Sequence, residues 1–181
     1  MKIKLTNVRL SFPELFTAKT VNSEGNPAFS ACFLINPADP QVVALNQAIE
    51  KIASDKWGAK APAILKQMRA TDKVCLHDGD LKSNYEGFVG MLYVSARNSV
   101  RPLVVDRDKS PLVEQDGRPY AGCYVNASIE LWVQDNNYGK RINASLRGVQ
   151  FLRDGDAFAG GCAATPDEFD DLAAEAADDL F

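Results

Sequence analysis

Apolar and polar positions alternate over the first twelve residues. Ile3 and Leu5 fall on one side and Lys2 and Lys4 on the other, which predicts a strand over 2–12. The alternation slips at Thr6-Asn7 and resumes at Val8, Leu10 and Phe12, the pattern of a β-bulge. About fifteen residues rich in Asn, Ser, Gly and Pro follow and read as a loop before a second strand at 28–35. The period then changes. Asp39 and Pro40 suit an N-cap and a first helical residue, Val42, Leu45, Ile49 and Ile52 recur at helical spacing, and Gly58 ends the segment. A second short helix is expected around Ile64, Leu65 and Met68; both stripes read as core. From residue 72 the signal is β again, with strands expected at 87–97, 101–105, 120–134 and 138–152, separated by turn-rich stretches such as DGDLKSN and DRDKSPLVEQDG. From Gly160 onward periodicity is lost. The pattern therefore predicts a mainly β domain over 1–160 with a helical insertion near 40–69. A flexible acidic tail over 161–181 follows, in which 167–177 can form a transient helix. A small barrel and a sandwich both satisfy this pattern.

The last two strands carry the chemistry. Val125, Ala127, Ile129, Leu131 and Val133 form one apolar face, and Tyr124, Asn126, Ser128, Glu130 and Trp132 the other. Across the turn, Ile142, Ala144 and Leu146 are apolar, while Arg141, Asn143, Ser145 and Arg147 are polar. A turn centred on Asn136-Asn137 sets Trp132 opposite Arg141, Glu130 opposite Asn143, and Asn126 opposite Arg147. A slip of two residues keeps these faces, whereas a slip of one buries arginines. The outer face thus holds aromatic rings for stacking on bases and guanidinium groups for phosphates, without selecting a base. Glu130, in the middle of this face, counts mildly against that use. A neighbouring strand with Leu92, Val94 and Ala96 inward turns Tyr93 and Arg97 outward, and Arg101 follows. The plain alternative is a Trp–Arg cross-strand pair that only stabilises the sheet.

Charge sharpens the picture. The chain has 20 basic and 24 acidic residues, a net of −4, but residues 166–181 contain seven acids and no base. The other 165 residues hold all 20 bases and 17 acids, a net of +3. A mildly basic body with an acidic tail is thereby set apart from an evenly charged chain. The closing run Asp178-Asp179-Leu180-Phe181 has the form of a short peptide ligand, an apolar end for a pocket and acids for a basic rim. Tethered acids can also compete for the protein's own DNA face at high effective concentration.

Other chemistry is thin. Cys32, Cys75, Cys123 and Cys162 form no CxxC pair, and His77, the single histidine, reads as a loop residue. Neither a metal nor a cofactor is expected. No apolar run reaches the roughly 18 residues of a membrane span, and the N-terminus lacks a signal peptide's apolar block, so a cytoplasmic location is expected. A metal-dependent nuclease would have to use Asp78/Asp80 or Asp106/Asp108, pairs in turn-like sequence where Asp is expected anyway. A non-enzymatic adaptor or virion component, whose tail binds a partner while the barrel binds nothing charged, is the other alternative.

The DDLF ending resembles the tails of bacterial and phage single-stranded-DNA-binding proteins, which end in acids capped by an aromatic residue. The body resembles a family of tailed-phage OB-fold DNA-binding proteins, formerly a domain of unknown function. The resemblance rests on KLTNVRLSFPELF at 4–16, FSACFLI followed by NPADP at 29–40, RPLVVDRD at 101–108, YAGCYVNASIELW at 120–132 and GVQFLRDG at 148–155. It implies an OB-type five-stranded barrel with an inserted helix and sequence-non-specific binding of single-stranded DNA. It also implies a phage or prophage role in the bacterial host cytoplasm, with replication or recombination proteins as partners of the tail. Weak self-association on DNA is compatible with it. No individual DNA contact is carried over from the family; the site residues rest on the assignment of faces.

Overall fold

The computed structural model describes residues 1–21, 24–158, 169–170 and 172. Most of the acidic tail, including Asp178 to Phe181, and Cys162 lie outside the described residues. The elements in order are β1 (Lys2–Val21), β2 (Glu24–Ile35), α1 (Pro40–Trp57), α2 (Ala61–Ala70), β3 (Leu76–Asp78), β4 (Leu92–Asn98), β5 (Leu103–Val105), β6 (Tyr124–Asn136) and β7 (Gly139–Arg153). The strand count is seven, not five: one sheet has the order β3-β4-β2-β1-β6-β7-β5. Two of the seven are three-residue segments: β5 falls within the strand expected at 101–105, whereas β3 is too short for period two to reveal.

The sheet curls until its two sides meet. The outer edge of β7 is covered piece by piece by chain from the far side. Val74 forms a parallel bridge to Ile142, and Ile142 N–H donates to the Lys73 carbonyl at 3.0 Å. The Asn98 amide donates to the Leu146 carbonyl at 3.0 Å, and β5 pairs in parallel with Gly148 to Gln150. Closure of this kind removes most of the exposed edge. The inward residues of the long strands, among them Leu5, Phe33, Val94, Ile129, Leu131, Ile142 and Leu146, fill the barrel core.

Several expected boundaries move. The segment after Phe12, read as a loop, instead continues β1 to Val21, and β2 starts at Glu24, giving one long hairpin. Irregular pairing past Ser11 hides these strands from a period-two reading. The 87–97 strand shrinks to β4, because the chain from Gly79 to Met91 first folds back over the outside of β2 and β4. Gly79 permits the fold-back: a Cβ there would collide with the Phe88 and Met91 carbonyl oxygens. The flap buries a second apolar cluster of Cys32, Leu34, Phe88, Tyr93 and Phe158. This is why FSACFLI is apolar on both faces.

The expected bulge is present. The β1–β6 register shifts between Leu5 and Val8, and Asn7 has φ +51°. Helix α1 is capped by the Asp39 carboxylate, which accepts from Gln41 N–H, and it ends at Gly58.

Candidate nucleic-acid interface

The β6–β7 hairpin turns at Asn137-Tyr138, one residue later than expected. Trp132 therefore pairs with Asn143, Gln134 with Arg141, and Glu130 with Ser145. The slip is by two in cross-strand register, so the faces survive as period two requires. Beyond Ser128 a further irregularity sets Asn126 opposite Gln150 instead of Arg147.

Where β4 and β7 meet, the outer surface holds a groove of about 410 Å³. Its rim carries Trp132, Arg141, Asn143, Gln134, Arg97 and Lys73, and Val74, Ile142 and Ala144 line it with His77 and Ser95. The lining has three fixed cations and no carboxylate. Trp132 is 45% exposed while the adjoining Leu131 is buried, so the ring stands open at the groove. The Asn143 amide donates to Gln134 Oε1 at 3.0 Å, tying the two strands together on this face. Arg97 donates to the Asn26 carbonyl at 3.0 Å, which holds its guanidinium against the β1–β2 hairpin. A groove so equipped attracts a polyanion and offers one large flat face for stacking.

Four of the nine expected barrel residues, Trp132, Arg141, Asn143 and Arg97, thus share one groove. The others do not line it. Tyr93 is only 4% exposed: its ring lies under the flap against Phe88 and stacks on His77 at 4.8 Å between centroids. Burial pushes the Tyr93 hydroxyl pKa up to about 12. Tyr124 lies at the other end of β6, with the Arg153 guanidinium 3.6 Å from its ring centroid and Arg9 at 5.7 Å, so an intramolecular cation–π stack occupies it. Asn126 accepts from Asn7 N–H at 3.0 Å and donates to Gln150 at 3.3 Å, and so serves the β1 bulge. Arg147 is paired with Glu130 at 2.7 Å, so the acid that seemed misplaced on this face neutralises an arginine. Arg101 is exposed on the β4–β5 connection.

Face assignment missed Lys73, Gln134 and His77. His77 is in β3, not a loop, and its Nδ1 is hydrogen-bonded to Asp72. Gln134 continues the outward series of β6 and was legible in principle. Lys73 and His77 reach the groove only because β3 and the residues before it pair with β4 on one side and touch β7 on the other. Local sequence carries no signal for that.

The paired aspartates make turns. Asp78 accepts from Asp80 N–H, and Asp80 from Gly90 N–H. Asp106 is held below the usual carboxylate range by the Arg107 N–H and by Arg118, and Asp108 by Ser110. Burial raises the thiol of Cys75 to about 12, in keeping with a core cysteine.

A curled barrel with an aromatic, basic groove beside its last hairpin belongs to the OB-type class of binding barrels. The model of the family described as Enterobacter phage Enc34, ssDNA-binding protein, matches residues 1–181, and the chain belongs to that family. Protein p50 of Acyrthosiphon pisum secondary endosymbiont phage 1 is 49% identical over 184 residues, covering 100% of this chain and 99% of that one. Among solved structures, the single-stranded DNA-binding protein of bacteriophage Enc34 in complex with ssDNA superposes with a TM-score of 0.72 at 29% identity. That match covers 87% of this chain and 89% of the other. The T7-encoded single-stranded DNA-binding protein gp2.5, at 14% identity, shares the fold, with a TM-score of 0.55 over 91% of this chain and 98% of its own. The Enc34 and T7 proteins are both described as single-stranded-DNA-binding proteins.

Proposed function

We propose that this protein binds single-stranded DNA without base preference through the groove between β4 and β7. The observation that carries the reading is an open Trp132 in a groove lined by Arg97, Arg141 and Lys73 and by no carboxylate. Trp132 serves as the stacking platform, the cations follow the phosphates, and Asn143 and Gln134 offer polar groups that any base can use. Family membership supports the reading, since the Enc34 protein is known in complex with ssDNA. Tyr124, Asn126 and Arg147 act as supports of the sheet, and Tyr93 as the buried backing of His77. Arg101 adds to the positive field around the barrel.

The acidic segment from residue 161, ending in Asp178, Asp179, Leu180 and Phe181, is proposed to recruit replication or recombination proteins. Off DNA it competes for the groove. Its charge is opposite to that of the groove, and its apolar end suits a partner's pocket. No helix among the described residues is long and apolar enough to cross a membrane, and the site of action is proposed to be the bacterial host cytoplasm during infection.

The test is titration of labelled oligo-dT by fluorescence anisotropy at several salt concentrations, with tryptophan emission followed in parallel. Binding that weakens as salt rises, with quenching lost in Trp132→Phe, is expected. Absence of binding at low salt, with or without the tail, would reject the reading in favour of a protein adaptor.

A further inference from the structure

Two aromatic rings stand exposed where β1 meets the flap that covers Tyr93. Phe12 is 42% exposed and Tyr85 45%, and the two rings meet edge to face with centroids 4.9 Å apart. Phe88 lies beneath both, 5.8 Å from Phe12 and 6.3 Å from Tyr85. Lys82 Nζ lies 5.3 Å from the Phe12 centroid, 5.8 Å from Tyr85 and 5.6 Å from Tyr93. Lys82 has no ion-pair partner among the described residues.

Phe12 also has φ +47°, a conformation that a bulky L-residue adopts rarely and that persists only where its surroundings impose it. The turn of the backbone at Phe12 places a large apolar ring at the surface of a barrel whose other β1 apolar side chains, such as Leu10 and Leu15, are buried. A core role does not account for an open pair of rings beside an ammonium that has no ion-pair partner among the described residues.

The groove and this patch are linked through one buried residue, Tyr93, which does not itself line the groove. Tyr93 stacks on His77, which lines the groove, and also lies against Phe88 and Lys82. From these contacts we infer that Phe12, Tyr85 and Lys82 form a second base-stacking station for the same DNA strand. The rings take a base and Lys82 takes the adjoining phosphate. The inference rests on the single-strand reading above and extends the site from the hairpin arm to the flap.

The surroundings set the direction of the strand. Past the rings is a hollow of about 630 Å³ rimmed by Glu14, Glu86 and Glu114. Its one basic residue, Arg118, is held by Asp106 at 2.7 Å. Glu14 is paired with Lys19 at 2.9 Å and Arg118 with Asp106, so the lining of the hollow offers a phosphate no open cation, whereas Lys82 does. The backbone therefore passes on the Lys82 side, and a base faces the hollow.

The experiment is anisotropy titration of oligo-dT of two lengths, about 4 and about 16 nucleotides, the span of site sizes for an OB fold. The proteins compared are wild type, Tyr85→Ala, Tyr85→Phe, Phe12→Ala, Lys82→Gln and Trp132→Ala. Tyr85→Ala is expected to weaken binding of the long strand by between about fivefold and about a hundredfold, the stacking range, with Tyr85→Phe restoring it. Lys82→Gln is expected to lower the salt slope by roughly 0.7, one phosphate's share on a single strand. Tyr85 is exposed, so its variants keep the fold even if Phe12→Ala does not. Unchanged long-strand affinity in Tyr85→Ala, alongside a loss in Trp132→Ala, would remove the station and leave the groove standing. Failure of the wild type to bind either length overturns the single-strand reading itself.

Discussion

At the scale of single residues, the surface hairpin divides into side chains open to a ligand and side chains already spent on the protein. Trp132 and Arg141 are open, while Tyr124, Asn126 and Arg147 each have an intramolecular partner. The difference is measurable. Trp132→Ala should weaken oligonucleotide binding by about 1–3 kcal/mol with the thermal unfolding midpoint little changed, because an exposed ring contributes stacking more than core burial. Asn126→Ala should do the reverse. It should cost about 0.5–1.5 kcal/mol of stability in urea unfolding, since the Asn7 N–H at the β1 bulge loses its acceptor. DNA affinity should stay within a factor of two or so, because Asn126 lies outside the proposed groove. If Asn126→Ala weakens binding as much as Trp132→Ala does, the division of this face is wrong.

At the scale of elements, the helical insertion is fastened to the barrel at two points. Near its start, Gln41 accepts from Thr6 N–H at 2.7 Å and donates to the Thr6 carbonyl at 2.8 Å, so α1 holds the bulged part of β1. At its end, the Trp57 indole donates to Asp135 at 2.9 Å, near the tip of the β6–β7 hairpin that carries Trp132. That indole N–H, assisted by Lys140, holds the Asp135 carboxyl below its ordinary value. A carboxyl depressed in the folded state adds stability above its unfolded pKa, and loses it as pH falls through the lower folded one. Asp135→Asn should therefore unfold more readily than wild type at neutral pH. The two should converge as pH is lowered through the carboxylate range, and urea unfolding across that range checks this. Trp57→Phe should shrink the pH-dependent gap. A gap that persists unchanged into acid would mean that the Trp57–Asp135 contact does not couple to folding.

At the scale of the whole molecule, charge is segregated: a body of net +3 precedes a segment of seven acids. Intramolecular competition between them is set by effective concentration, and salt weakens it together with DNA binding. Removing residues 167–181 should strengthen oligo-dT binding at low salt, and the advantage should fade as ionic strength rises. Weaker binding after truncation would mean that the segment assists the groove, and the competitor model would be abandoned.

Sequence alone determined the classes of element and the faces of the long strands, because period two and period 3.6 are local properties of the chain. Val125 to Val133 and Ile142 to Leu146 point inward as alternation requires, and a two-residue slip in pairing left that unchanged. The basic body and the DDLF ending were likewise legible from composition. Tertiary structure decided which outward residues meet solvent and which meet one another. Tyr93 points outward as alternation demands, yet the fold-back of residues 79–91, with no periodicity to announce it, buries the ring. Lys73 and His77 join Trp132 because barrel closure brings residue 74 against residue 142, a contact over 60 positions distant in the chain. Alternation states which face a side chain takes. Only the closed sheet, and the chain lying over it, determine what that face touches.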